Sequence, residues 1–154
     1  LRVKLISHTL ISNKNQYLLI KRSSVKRGKK NVYPLYWDIP GGSVEDMELP
    51  REGALRETIE EVGLPIIIKN VIHEDSNLDK QKNTIFTRLV YEGEIKETDS
   101  EINIILDPEE HLEYRWINSL EELRQENIVP YVKEIFKNLN ENKKKSSNYS
   151  DTIL

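Results

Sequence analysis

The sequence predicts a single α/β domain, with a β-sheet packed against helices. Three observations carry that expectation. The chain has 154 residues, the size of one ordinary domain, which buries roughly 68–70% of its unfolded surface. Runs rich in β-branched and aromatic residues alternate with helical patterns, with no internal repeat and no shift of composition before residue 140. One segment, Pro50–Val62, is helical in pattern, with an apolar side and an acidic side.

Val3–Ile11 and Gln16–Lys21 read as two strands, and the polar link Ser12-Asn13-Lys14-Asn15 between them is a hairpin signal. Ser23–Lys30 carries Lys26, Arg27, Lys29 and Lys30 and reads as an exposed loop. Pro40-Gly41-Gly42 is strong loop punctuation. Pro50–Val62 is the clearest helix. Pro50 loses nothing by lacking an N–H in the first turn, Gly63 suits the position after the last turn, and Pro65 stops continuation. Ile66–His73 and Thr84–Ile95 read as strands joined by the polar stretch Glu74–Asn83. Glu94–Glu101 is an acidic link, Ile102–Leu106 a short strand candidate, and Glu113–Ile117 one more strand. Ser119 opens a second helix, where Ser119 and Glu122 make a capping box. Pro130 divides this region, and Ile128–Leu139 turns Val132, Ile135, Phe136 and Leu139 inward. The domain then spans 1–139, and Asn140–Leu154, with Lys143-Lys144-Lys145, reads as a flexible tail.

Composition excludes several classes. The 23 Lys+Arg against 26 Asp+Glu give a formal charge of −3, so whole-molecule attraction does not steer a polyanion to this chain. With no cysteine there is no disulfide scaffold, no thiolate metal site and no thiol nucleophile. Leu1–Ile11 lacks the apolar core of a signal peptide, and no apolar run approaches the roughly 18 residues of a membrane span. A cytoplasmic location and no membrane partner are the expectations.

The chemistry concentrates on the Pro50–Val62 helix. At about 100° per residue, Glu57, Glu60 and Glu61 share a sector of about 100°, while Leu55, Ile59 and Val62 fall on the opposite side. Gly53 lies on the acidic side one turn earlier and presents no side chain there. Like charges at i,i+4 cost a helix roughly 0.2–0.5 kcal/mol per pair, and a divalent cation removes that conflict. Oxygen donors without Cys or clustered His suit Mg²⁺ or Mn²⁺. Arg56 stands i,i+4 to Glu60, where it orients the carboxylates or meets a phosphate. The bland alternative is a solvated acidic face.

The spacing decides against that alternative. Gly42, Glu48, Arg56, Glu57, Glu60, Glu61, Gly63 and Leu64 fall as Gly, five residues, Glu, seven residues, Arg-Glu, two residues, Glu-Glu, one residue, Gly and an aliphatic. This resembles the Nudix box, and Tyr36-Trp37-Asp38-Ile39-Pro40-Gly41-Gly42 resembles the family's usual approach to it. Thr58 departs from the pattern at an aliphatic position, and Met47 stands where many members have a loop glycine. The resemblance extends loosely over nearly the whole chain except the tail.

The resemblance implies a Nudix-type α/β/α sandwich with a mixed β-sheet, the box helix on one face and the C-terminal helix on the other. It implies hydrolysis of a phosphoanhydride bond in a nucleoside diphosphate-linked substrate, a nucleoside triphosphate or related nucleotide, with Mg²⁺ or Mn²⁺. Carried over by position, Glu57, Glu60 and Glu61 bind metal with the Gly42 carbonyl, while Glu48 and Gly63 are structural. Glu57, Arg56 and a later glutamate are the catalytic candidates. Glu110 is favoured for that later role, with Glu113 as its rival, and either is also open to being a plain surface carboxylate.

Arg22 and Trp37 are the substrate-binding candidates. Arg22 is otherwise a surface charge, and Tyr36 and Trp37 are otherwise core packing. Lys26–Lys30 is a solvated loop or a contact for a polyphosphate or a nucleic-acid tail. His111 is read as a structural hydrogen-bonder, and His8 and His73 are assigned no chemistry. A capped or triphosphorylated RNA end is the one nucleic-acid partner the resemblance admits, and pairing as a homodimer stays open. The alternative reading is a non-catalytic Nudix-like nucleotide-binding module. An isoprenoid diphosphate isomerase on the same fold calls for a Cys that is absent here.

Overall fold

β1 (Arg2–Asn13) and β2 (Gln16–Arg22) make a hairpin whose two-residue turn, Lys14 and Asn15, is left-handed at both positions, with φ of 50° and 66°. Such turns match the natural twist of paired strands. The computed structural model describes residues 1–96 and 102–153, with no side-chain placement given for 145–153. The end of the Glu94–Glu101 link lies outside the described residues.

A two-residue hairpin follows, β3 (Val25–Lys26) with β4 (Lys29–Lys30). β5 (Trp37–Asp38) and β6 (Gly41–Ser43) are separated by Ile39-Pro40, and the two glycines of the Pro-Gly-Gly stretch lie within β6, paired with β1. α1 (Pro50–Val62) starts with Pro50 in its first turn and ends at Gly63, whose φ of 70° and N–H to Ile59 O form the expected left-handed cap. β7 (Ile66–Asp79), β8 (Thr84–Ile95) and β9 (His111–Ile117) complete the strands. A short 3₁₀ turn, Leu120–Leu123, precedes α2 (Pro130–Ile153).

The main sheet runs β5-β2-β1-β8-β7, with β6 added on β1 and β9 on β2. β1 and β8 are parallel along eleven consecutive positions, from Arg2 opposite Thr84 to Ser12 opposite Glu94, and the other pairs are antiparallel. The sheet is therefore mixed.

Strand alternation distributes the core. Leu10, Leu19, Val90 and Ile117 pack with Val132, Ile135 and Phe136 of α2. Their neighbours Ile11, Leu18 and Ile20 pack on the other face with Val62, Leu64 and Ile66. Each such side chain, fully buried, contributes about 1.5–3 kcal/mol relative to exposure. Helices thus cover opposite faces of a mixed sheet, as an α/β/α sandwich. Among the described residues no helix is long and apolar enough to cross a membrane.

Four elements differ from the sequence reading. β7 continues through Glu74 to Asp79, because its polar residues stay paired with β8, so the loop shrinks to residues 80–83. Ile102–Leu106 is not a strand: the Ile105 N–H bonds Val62 O at 3.0 Å, and Ile104 and Leu106 pack on the α1 side of the core, so this segment closes the end of α1. The helix at Ser119 is only a 3₁₀ turn, and α2 begins at Pro130 because Ile128 and Val129 are held against Trp37. Backbone from Asn140 to Ile153 is helical where a frayed tail is expected.

Candidate active site

The helix that carries the acidic residues is rotated from its periodicity. Ile59, expected inside, is 51% exposed, while Gly53, Ala54, Thr58, Glu61 and Val62 are buried. The rotation draws the acidic side against the β5–β6 turn. Glu61 is 6% exposed, and its Oε2 accepts the Gly41 N–H at 2.8 Å. Burial pushes the Glu61 carboxyl well above the ordinary carboxylate range, against the pull of the Gly41 N–H, and the charges of Glu57, Glu110 and Asp38 push it the same way. Burial also raises Glu57, opposed by Arg56 and assisted by Glu60 and Glu110. Thr58, the departure from the aliphatic pattern, is fully buried and satisfies its hydroxyl on Ala54 O at 2.8 Å within the helix.

Two glycines make room for carboxylates. A Cβ at Gly42 would stand 2.7 Å from Glu57 Oε1, and one at Gly53 would stand 2.9 Å from Glu48 Oε1. Met47 takes φ of 64° in the loop before Glu48, the conformation a glycine would adopt freely, and its side chain is fully exposed.

Arg56 is the hub of the acidic face. Its Nε and Nη2 donate to the two oxygens of Glu48 at 2.8 and 3.1 Å, Nη2 also to Ser43 O at 3.0 Å, and Nη1 to Glu57 and Glu60 at 3.1 and 3.2 Å. The bidentate pair holds Glu48 below its ordinary pKa. The structure thus brings Gly42, Glu48, Arg56, Glu57 and Glu61 together, with Glu60 at the more exposed rim.

Gly42, Arg56, Glu57, Glu60 and Glu61 line a cleft of about 1310 Å³, together with Arg22, Lys26, Arg27, Glu110 and His111, while Glu48 stands behind Arg56. Glu110 pairs with Lys26 Nζ at 2.6 Å, and its charge acts on both Glu57 and Glu61. Glu113 is not part of the lining and stands 3.8 Å from Arg115. Of the two rivals, Glu110 is therefore the one in the cleft. Arg22 lies in the wall with its donors directed to Asp38, Asn31 and Val32 at 3.0, 3.0 and 2.7 Å. Trp37 corrects the sequence reading: its ring is fully buried in the α2-side core, its Nε1–H donates to Glu126, and it does not line the cleft. A base does not reach it.

The far wall escapes sequence reading. The Tyr131 hydroxyl donates to Asp38, and His8 Nδ1 lies 3.0 Å from that hydroxyl and 3.2 Å from Ile39 O. Burial keeps His8 easily deprotonated, against the pull of Asp38. Arg88 lies 3.8 Å over the Tyr131 ring and donates to Asp75, which also meets His73 at 2.7 Å. These residues come from β1, β5, β7, β8 and α2, so no linear spacing could announce them. Only the opposition of Asp75 and Arg88 across β7 and β8 had a local signal, and it needed the strand to run past His73.

The donor set fits a hard divalent ion in kind. Glu61 is a buried carboxylate with no cationic partner among the described residues, surrounded by the charges of Glu57, Glu110 and Asp38. Oxygen donors in such excess suit Mg²⁺ or Mn²⁺. As the side chains stand, no three acidic or imidazole groups among the described residues enclose an ion position. Arg56 holds Glu57 and Glu60 instead.

Comparison with known proteins agrees with this site. The NUDIX domain model matches residues 4–139. A nucleoside triphosphatase NudI of Klebsiella pneumoniae is 28% identical over 128 residues, covering 77% of this chain and 84% of that protein. An RNA pyrophosphohydrolase of Wolbachia pipientis is 29% identical over 147 residues, covering 83% of this chain and 90% of that protein. Among solved structures, the MutT protein from Methanosarcina mazei Go1 superposes with a TM-score of 0.70 at 24% identity, covering 93% of this chain and 96% of that one, a likeness of fold. With the acidic helix, its two carboxylate-accommodating glycines and a family match across most of its length, the chain belongs to the Nudix hydrolase family.

Proposed function

We propose that this enzyme, a hydrolase of pyrophosphate bonds, cleaves a phosphoanhydride of a nucleoside triphosphate or related nucleotide with the help of Mg²⁺ or Mn²⁺. The observation that carries the reading is the buried Glu61 carboxylate, uncompensated by any cation among the described residues and opposed by Glu57, Glu110 and Asp38.

Glu57, Glu60 and Glu61, with the Gly42 carbonyl, are the residues that would hold the metal. The bound ion supplies neutralisation of phosphoryl charge and a lowered pKa for the attacking water. Arg56 keeps Glu57 and Glu60 oriented while Glu48 anchors Arg56 to the loop. Glu110 is the base that accepts the water's proton, and Lys26 keeps its carboxylate at the cleft. Arg22 stands ready to meet a phosphate, in a geometry fixed by Asp38 and Asn31. On this reading the enzyme works in the cytoplasm with its nucleotide substrate, and the working domain ends at residue 139.

The test replaces Glu57 or Glu61 with Gln and follows turnover of a phosphoanhydride panel in Mg²⁺ and Mn²⁺, with products identified by mass. Each change is expected to lower turnover by more than about 100-fold, beyond the cost typical of disturbing a ligand's support. Turnover that survives either change within a few-fold overturns the site. Tight nucleotide binding without turnover in the unaltered protein favours a binding module instead.

A further inference from the structure

One hydroxyl on α2 reaches toward both sides of the cleft. Tyr131 stands in the first turn of α2 and lines the cleft, and its hydroxyl donates to Asp38 Oδ1. The same oxygen lies 3.0 Å from His8 Nδ1. Two arms start there. Asp38 leads to Arg22, on the cationic side of the cleft. The His8 ring lies against Gly41, where a Cβ would collide with it, and the Gly41 N–H holds Glu61.

The Asp38 arm is the more completely built. Asp38 is 4% exposed, and both of its oxygens are occupied. Oδ1 accepts the Ile39 N–H at 2.7 Å and the Tyr131 hydroxyl, and Oδ2 accepts Arg22 Nη1 at 3.0 Å. The Ile39 N–H belongs to the adjacent residue and moves with Asp38. The Tyr131 hydroxyl is therefore the contact that ties this carboxylate to another layer of the fold. Tyr131 is itself clamped. The Arg88 guanidinium lies 3.8 Å over its ring, and the His8 ring stands 5.1 Å away. The start of α2 is fastened to β5 by the Val129 N–H on Trp37 O at 3.0 Å, and the Trp37 N–H reaches Asn127 O at 2.9 Å. A donor on so rigid a support can fix its acceptor closely.

At the other end, a β-bulge falls between Lys21 and Arg22 where β2 pairs with β9, a device that re-aims a side chain beside a site. The Arg22 N–H donates to Tyr36 O at 2.9 Å, and its carbonyl accepts the Leu35 N–H at 3.1 Å, so the backbone is held on both sides. A guanidinium carries five N–H donors. Nε is taken by Val32 O, and one N–H of each terminal nitrogen is taken by Asp38 and Asn31. Among the described residues, the second N–H on each terminal nitrogen is left over, in a side chain that lines the cleft. That pair is the fork with which arginine meets a phosphate. Its angle follows Asp38, because a turn of that carboxylate carries Nη1 with it.

We propose that Tyr131 is a positioning residue for phosphoanhydride hydrolysis: through Asp38 it holds Arg22 at the angle where its two remaining N–H donors meet a substrate phosphate. This rests on the hydrolase reading above and on the phosphate contact given there to Arg22. The hydroxyl acts through Asp38 and not on the reacting atoms. Arg22 then supplies binding that ground state and transition state share, so the mark of the role is a rise in KM with kcat little changed.

The test uses the full chain in Mg²⁺ and compares variants on whichever of ATP, GTP, CTP and UTP it turns over fastest. Tyr131→Phe removes one oxygen and keeps the ring beneath Arg88. It is expected to raise KM about fivefold, the net size of one hydrogen bond, with kcat within about twofold. Arg22→Gln should raise KM about tenfold or more, as loss of a hydrogen bond to a charged group does. In the Arg22→Gln background, Tyr131→Phe should change KM by less than about 1.5-fold, because the two residues act as one unit. A Tyr131→Phe effect that persists undiminished without Arg22 overturns the role. So does an effect on neither constant, or one on kcat with KM unmoved, which assigns the hydroxyl to His8 and Gly41 instead. Unaltered KM in Arg22→Gln overturns the phosphate contact and the positioning role together, and leaves Glu57 and Glu61 as the assigned metal side. No turnover of any of the four triphosphates by the unaltered protein overturns the nucleoside triphosphate reading, and the role with it.

Discussion

A methyl group at residue 42 would stand 2.7 Å from Glu57 Oε1 and 2.8 Å from its Cδ. Gly42→Ala therefore displaces the carboxylate while leaving the core untouched. Misplacement of a reacting group by about 1 Å costs roughly 10²-fold, so kcat/KM should drop by that order while Tm moves little. A steady-state assay beside a melt checks both halves. Met47 poses the reverse case. Its φ of 64° imposes a left-handed conformation that costs an L-residue roughly 1–2 kcal/mol, offset in part by the chain entropy of a glycine. Met47→Gly should raise Tm slightly, and Met47→Val should lower it. At this scale the sequence was legible wherever a residue's role depends on its neighbours in number. Glu48, Arg56, Glu57 and Glu61 stand together as their spacing implies. Trp37 was misread because the β5 backbone turns its ring into the core, where Glu126 takes its N–H, and no spacing rule says which side of a two-residue strand faces a cleft.

At the scale of the element, α1 depends on one guanidinium. Arg56 meets Glu48 through a two-pronged fork and spends its remaining donors on Ser43 O, Glu57 and Glu60. Lysine offers a point charge without the fork. Arg56→Lys should therefore lower kcat/KM by about tenfold to 100-fold, the range seen when a supporting partner is lost. It should also lower Tm, and restoring bulk with Gln should not recover activity. Unchanged kinetics in Arg56→Lys would show that the loop is held by other contacts. Helix bounds were legible because Pro50 and Gly63 act locally. The helix's rotation was not, since the exposure of Ile59 and burial of Glu61 follow from the Gly41 N–H across the cleft. β7 was cut short for a related reason: its polar half is a strand only because β8 pairs with it.

For the whole molecule the buried titratable groups set the response to pH. The folded pKa values of Glu57 and Glu61 lie above the ordinary 4.5 because burial disfavours their charge. The folded state then keeps protons that the unfolded chain releases, so stability falls as pH rises above about 4.5 and levels off past the folded values. His111 acts in the opposite direction. Burial lowers its pKa from 6.5 to about 4, so the unfolded chain takes up a proton that the folded state refuses. Stability is lost as pH falls from 6.5 toward 4, by about 3 kcal/mol for a shift of that size. The two dependences oppose each other where they overlap, from about 4.5 to 6.5, and the loss with rising pH that Glu57 and Glu61 cause is the alkaline slope. Glu61→Gln should flatten the alkaline slope and raise Tm at neutral pH while abolishing turnover, and Mg²⁺ should have the same effect on Tm in the unaltered protein. An alkaline slope equally steep in Glu61→Gln would show that the carboxylate is not the source. Fold class was legible at this scale because strand and helix patterns alternate, but the cleft's far wall was not, since His8, Asp38, Arg88 and Tyr131 meet only when four elements close.

The parallel pairing of β1 with β8 joins eleven residues to partners more than eighty positions later. During synthesis at roughly 5–20 residues per second, β1 waits several seconds for its main partner. Until then its hairpin with β2 pairs only Ser12 and Asn13, and Leu10 and Ile11 have no sheet to enter. α1 is complete well before β8 exists, yet its buried carboxylate needs the finished cleft around it. Non-local closure of this kind slows folding relative to helical proteins of equal size. The order of assembly thus makes the acidic centre one of the last parts to mature, so a nascent chain carries the helix long before it carries the activity.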